Sequence, residues 1–223
     1  MFGIFYVCTD PFHGKPLPVH ITHSLLATYS PRYILDLLEK TGISLGKNLH
    51  LDHKALVKYR NHNSDEITKN LKRIVNWANQ DLGQREKIFE IFSDLISLSQ
   101  QDFVKSWYLS ESDLSIINNL GFEIGSHTCS HRLLSNMEEI EIKNELMNSR
   151  FELAELTMSE IKSFCYPYGG PFSYNQKVID EVQKVGYTES FSVSPNEINL
   201  HMNLKLSLYE LPRYDCNVFP YYR

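Results

Sequence analysis

Gly121-Phe122-Glu123-Ile124-Gly125-Ser126-His127-Thr128-Cys129-Ser130-His131 is the stretch on which the reading of this chain turns. Phe122 to Gly125 reads as a short strand, Gly121 as the stop of the helix before it, and Ser126 to His131 as the loop that follows. Two imidazoles therefore stand four residues apart directly behind a strand. If Ser130 and His131 begin a helical turn, both rings project to one side, and imidazole nitrogen at ~2.0–2.1 Å suits zinc or a similar divalent ion. A pair of ligands alone holds a metal poorly, and a hydrolytic site adds a third while leaving one position for water. The bare spacing equally describes capping or core histidines with no metal.

Working outward, the texture after Trp107 alternates short strands with helices, the pattern of βαβ units. Ser110-Glu111-Ser112-Asp113 resembles a helix cap before Leu114 to Leu120. An amphipathic helix is expected from Glu138 to Leu156, a strand from Ser163 to Tyr166, a helix from Tyr174 to Val185, and strands at Thr188–Val193 and Leu208–Arg213. Toward the N-terminus, Gly3 to Cys8 is apolar and rich in aromatic and β-branched residues, a buried strand closed by Asp10-Pro11 and Gly14. Between the two lies a helical stretch, residues 19–105, with apolar faces at Ile34, Leu35, Leu37 and Leu38, at Ile67, Leu71, Ile74, Val75 and Trp77, and at Ile88, Phe89, Ile91, Phe92, Leu95 and Ile96.

Length and composition bound the function. At 223 residues and 42% hydrophobic content the chain supports one sizeable core. One domain over 1–223 is expected, with 19–105 a helical insertion and 107–214 the motif-bearing part. A net charge of -5 offers no positive field for a phosphate backbone, so nucleic-acid binding is disfavoured. Cys8, Cys129, Cys165 and Cys216 form no Cys-x-x-Cys pair, which points to a reducing cytoplasm and against a disulfide scaffold or zinc ribbon. No apolar run reaches the ~20 residues of a membrane span, and no signal peptide is seen.

The run from Gly121 to His131 strongly resembles the metal-binding motif of the polysaccharide deacetylases, the NodB-homology domains. A second stretch, Ser163-Phe164-Cys165-Tyr166-Pro167-Tyr168-Gly169-Gly170, resembles the loop that walls their active groove. A third, Gly186-Tyr187-Thr188 through Phe191-Ser192-Val193 and then Glu210-Leu211-Pro212-Arg213-Tyr214, resembles their later barrel strands. The resemblance implies a distorted, incomplete (β/α) barrel of the glycoside hydrolase and deacetylase type with a helical insertion. It implies a divalent cation, zinc first, held by His127 and His131, and a glycan or N-acetylated sugar that loses an N- or O-acetyl group to metal-activated water. Tyr168 would supply an oxyanion donor through its backbone N–H, Arg213 would follow as a second catalytic group, and Pro167, Tyr168 and Phe191 would line the substrate groove.

The family's first motif, an Asp-Asp pair ending the first barrel strand, has no counterpart in this sequence. Gly3 to Val7 instead resembles the second strand, so the chain opens one β/α unit late; a rival alignment makes Asp10 the surviving carboxylate. Many members carry an arginine where Cys165 stands, and its contact with a catalytic carboxylate cannot form here. Without a carboxylate base, worth typically 10²–10⁴-fold, the chain alone would be poorly active or inactive. The alternative is an impaired fragment or paralogue that acts as a carbohydrate-binding or assembly protein, and a further rival is an amidase on a non-sugar acyl group. A missing stave would also expose apolar surface and favour self-association. His20 and His23, three apart at a helix start, read as surface or capping residues; His201 is a weaker candidate for a general acid. The tail from Phe219 to Arg223 reads as packed or frayed.

Overall fold

Residues 3–42, 64–78, 82–96, 98–194 and 208–214 are described by the computed structural model. Four short strands, β1 (Ile4–Val7), β2 (Glu123–Ser126), β3 (Ser163–Cys165) and β4 (Glu189–Phe191), lie side by side in that order. Every pairing is parallel: Val7 stands beside Ser126, Ser126 beside Phe164, and Cys165 beside Phe191. Parallel neighbours cannot be joined by a hairpin, so each step needs a crossover, and helices provide it. The expected α/β architecture on a parallel sheet is therefore present, as an open four-stranded sheet rather than a closed barrel among the described residues.

Two compact units make up the chain, one from residues 1–13 and 109–223, the other from 14–108. The stretch read as a helical insertion falls within the second. That unit contains α1 (Pro18–Thr28), α2 (Pro31–Lys40), α3 (Glu66–Ala78), α4 (Leu82–Ile96) and α5 (Gln100–Trp107). Its core joins Ile21 and Leu25 to Ile34, Leu38, Leu71, Ile74, Ile88, Phe92 and Phe103, each at most 3% exposed. These residues recur at helical spacing, so the burial follows from the amphipathic pattern. Prolines open α1 and α2 at the first helical position, where a missing N–H costs nothing.

The sheet-bearing unit adds α6 (Glu111–Asn119), α7 (Glu139–Thr157) and α8 (Gln176–Val185). The helix expected from Leu114 begins three residues earlier, because Ser110 caps it: Asp113 N–H donates to Ser110 Oγ at 3.2 Å and Ser110 N–H donates back to Asp113 Oδ2 at 2.8 Å. One face of α7, Ile142, Leu146, Ser149, Leu153 and Thr157, is buried at the i, i+4 and i+3 spacings of a helix stripe. It packs with Leu114, Ile124, Phe164, Val178, Val182 and Tyr187 in one continuous core.

Gly125 shows why the central strand has its sequence. A Cβ at that position would lie 2.4 Å from the ring of Tyr6, its register partner on β1. The vacant space lets the Tyr6 ring pass across β2, and its hydroxyl reaches Ser163 Oγ on β3 at 2.5 Å. A side chain at residue 125 would break this strap. At the far edge the expected strand Leu208–Arg213 shrinks to one bridge, Phe191 with Leu211. Pro212, which has no N–H to give, ends the ladder there. His201 and the tail from Phe219 to Arg223 lie outside the described residues.

Candidate active site

The loop after β2 carries the two imidazoles, and the parallel pairing continues past the strands to hold it. His127 N–H donates to Val7 O at 3.0 Å, Thr9 N–H to Thr128 O at 3.3 Å, and Asp10 N–H to Cys129 O at 2.9 Å. The expected helical turn at Ser130-His131 does not form. Thr128 and His131 instead adopt left-handed backbone, φ 69 and 56, and a right-handed turn needs φ near -60. Thr128 is β-branched, so its conformation is a strained one that only surrounding bonds can maintain. Its own hydroxyl supplies one of them, accepting the His131 N–H at 3.0 Å.

The rings nonetheless converge. Their centroids are 4.8 Å apart with planes at 73°, and both residues are only half-buried. Nδ1 of His127 lies 2.6 Å from the backbone carbonyl of Cys165 at the end of β3. A carbonyl can only accept, so Nδ1 carries the proton and Nε2 presents its lone pair away from that bond. A backbone or carboxylate partner behind a metal-binding histidine is the usual device for fixing its tautomer. Two imidazoles sharing an ion at ~2.0–2.1 Å have centroids roughly 5 Å apart, so the observed separation fits a shared cation. Among the described residues, however, no group of three or more His, Cys, Asp or Glu side chains is placed to hold a metal. The donor set therefore fits as two ligands and lacks a third there.

The loop after β3 closes the other side. Pro167 is buried, and Tyr168 adopts left-handed backbone at φ 65 with its ring 4.8 Å from that of His131. Gly169 follows at φ 61, its carbonyl accepting from Val193 N–H at 2.7 Å; a Cβ at residue 169 would collide with that same nitrogen. Three of the four left-handed non-glycine residues among those described, Thr128, His131 and Tyr168, thus belong to this one site.

The other sequence candidates have their own surroundings. Asp10 begins a 3-10 turn, Asp10–His13, and lines a cleft of about 340 Å³ with His13, Arg132, Glu141, Glu145 and Glu152; neither His127 nor His131 lines it. Phe191 is half-buried with its ring 5.9 Å from that of Tyr6. Arg213 is exposed, and its charge favours ionisation of Tyr6 and Cys165. Burial, the larger influence, still pushes the Cys165 thiol up to about 11, and burial followed by the Glu145 charge pushes Cys129 to about 12. Both remain thiols at neutral pH and are poor ligands or nucleophiles in that form. His20 serves structure: Leu17 N–H donates to Tyr108 Oη, and His20 Nδ1 lies 2.8 Å from the same oxygen.

Three contributors had no place in the sequence reading. The Cys165 carbonyl and the Thr128 hydroxyl were invisible because backbone acceptors and loop bonds leave no residue-type signature. Glu145 of α7 did leave one. It falls three residues after Ile142 and four before Ser149, half-buried beside the buried stripe, where a carboxylate gains from a partner. Its Oε2 accepts from Cys129 N–H at 2.9 Å and Ser130 N–H at 3.0 Å, and Oε1 accepts from Ser130 Oγ.

Residues 99–190 match the family model described as Polysaccharide deacetylase. Solved structures with which the chain aligns include a polysaccharide deacetylase from Bacillus cereus, at 23% identity and TM-score 0.43 over 48% of this chain and 32% of that one. A Streptococcus pyogenes deacetylase in complex with acetate aligns at 12% identity and TM-score 0.43, over 96% of this chain and 88% of the other. A de-N-acetylase from Aggregatibacter actinomycetemcomitans aligns at 11% identity and TM-score 0.41, over 96% and 94%. The chain thus spans about a third of the Bacillus cereus protein. No curated protein matches it. No described helix is long and apolar enough to cross a membrane.

Proposed function

We propose that this chain is a polysaccharide deacetylase-type hydrolase that removes N- or O-acetyl groups from a glycan, with His127 and His131 holding a divalent cation, zinc by preference. The observation that carries the reading is the edge-to-face imidazole pair, with the His127 tautomer set by the Cys165 carbonyl. When bound, such a cation polarises an acyl carbonyl and eases deprotonation of water. The chain's own residues do the rest. His127 presents Nε2 outward, His131 is held beside it by the Thr128 hydroxyl, and the Pro167-Tyr168-Gly169 loop walls the groove. The Tyr168 N–H is the proposed oxyanion donor, a role worth ~2.7–4 kcal/mol where it operates. Phe191 is proposed to line the substrate groove, and Arg213 to serve as a second catalytic group.

A second reading has its own support. Among the described residues no third metal-binding side chain joins the imidazoles, which suits a carbohydrate-binding or assembly protein that keeps the groove and has little chemistry. Equilibrium dialysis with zinc and acetate release from N-acetylated oligosaccharides separate the two. The enzyme reading expects one zinc per chain, lost in His127→Ala and His131→Ala while circular dichroism is unchanged, together with acetate release by the unaltered protein. Zinc retained in both variants would remove the site assignment, and oligosaccharide binding without acetate release would favour the binder.

A further inference from the structure

Between the two left-handed residues of the loop lie Cys129 and Ser130, and both of their N–H groups point at one carboxylate oxygen, Glu145 Oε2. The other oxygen takes the Ser130 hydroxyl. Glu145 belongs to α7, not to the loop or the sheet, and its place on the helix is fixed in turn. Its backbone carbonyl accepts from Ser149 Oγ at 2.7 Å, Ser149 Oγ lies 2.8 Å from Ser126 Oγ on β2, and the next carbonyl, that of Leu146, accepts from Tyr187 Oη at 2.9 Å. From this geometry we infer that Glu145 is the positioning residue of the site: its carboxylate holds the strained backbone through which His127 and His131 face one another. The inference rests on the cation reading of those two residues and adds to it a group that acts through the loop backbone.

The physical case is one of competing conformations. A β-branched residue in left-handed backbone tends to relax toward extended or right-handed backbone unless its surroundings forbid it. Relaxation at Thr128 or His131 would rotate the intervening peptide groups and swing the rings apart. Charge-assisted bonds are about twice as strong as neutral ones, and three on one carboxylate oppose that rotation at the two residues between the strained positions. The bonding is also asymmetric, which makes it testable. An amide oxygen can replace Oε2 and accept both N–H groups, while the amide nitrogen can donate to the Ser130 hydroxyl. Gln should therefore preserve the loop, and Ala should release it.

Two readouts on the full chain test this. In the protein without added metal, the amide resonances of Cys129 and Ser130 and the ring resonances of His127 and His131 report the loop directly. Glu145→Ala should move them toward disordered positions, while Glu145→Gln keeps them near those of the unaltered protein. In titrations with cobalt(II) followed by its visible absorption, Glu145→Ala should weaken binding at least ~10-fold, the range of groups that support metal ligands, and Glu145→Gln should restore most of it. Loop resonances unchanged in Glu145→Ala would overturn the inference, as would cobalt affinity unchanged in that variant. Should the unaltered chain take up no cobalt while Glu145→Ala still loosens the loop, the positioning role stands and the cation reading falls.

Discussion

Left-handed backbone occurs at Met158 as well as at Thr128 and His131, and the two regions use it differently. Met158 ends α7 at φ 50 with its side chain 90% exposed, an ordinary helix termination where glycine would do as well or better. Thr128 is fully buried, sits at φ 69, and is tied on both sides: its carbonyl accepts from Thr9 N–H and its hydroxyl from His131 N–H. Strain at the helix end costs stability and gives nothing back. In the loop, the neighbours over-determine the strained conformation, and it sets two imidazoles edge to face, 4.8 Å apart.

The strongest way to break the loop is from beneath. Phe164 stands on β3 opposite Ser126, is fully buried, and has its ring 5.2 Å from those of Tyr166 and Tyr187. Phe164→Ala should cost about 3–5 kcal/mol, read as a fall in the denaturant midpoint and accompanied by loss of the proposed cation binding. A more local break is Thr128→Val, which keeps the shape and removes the acceptor for His131 N–H. The expected loss is about 1–3 kcal/mol, with cobalt binding weakened in parallel; unchanged binding would show that the hydroxyl does not orient His131.

Met158→Gly sharpens the contrast in the opposite direction. Relief of left-handed strain, offset by glycine's larger unfolded entropy, should raise stability by about 1 kcal/mol and leave cation affinity untouched. The smallest expected effect lies in the helical unit. Burial, followed by the charge of His23, holds the His20 pKa below its ordinary 6.5. The unfolded chain then takes up the proton first, so the stability from His20 is present above pH 6.5 and is lost as the pH falls below that value. Thermal melts between pH 7.5 and 5.5 should show a decline that His20→Gln flattens.

Legibility followed the kind of interaction involved. The helices were readable wherever burial repeats at helical spacing, as at Ile34 and Leu38 or Leu71, Ile74 and Val75. The order of strands and helices in the sheet-bearing part, and the likeness of residues 99–190 to the polysaccharide deacetylase family model, were readable from motif residues in their order. The helical turn expected at His131 was not, since a loop's dihedral angles depend on acceptors brought from α7 and β3. The same limit hid the Cys165 carbonyl, whose role owes nothing to the identity of its side chain.

The sequence alone determined the residue types: two imidazoles behind a buried strand, a glycine at 125 that admits the Tyr6 ring, and a chain without an Asp-Asp pair. Tertiary structure decided their relation. It set the 4.8 Å between the rings, the tautomer of His127 and the grip of Glu145 on the loop. Local pattern reports what each segment can bury, whereas a site assembled from three elements exists only once the sheet has brought their ends together.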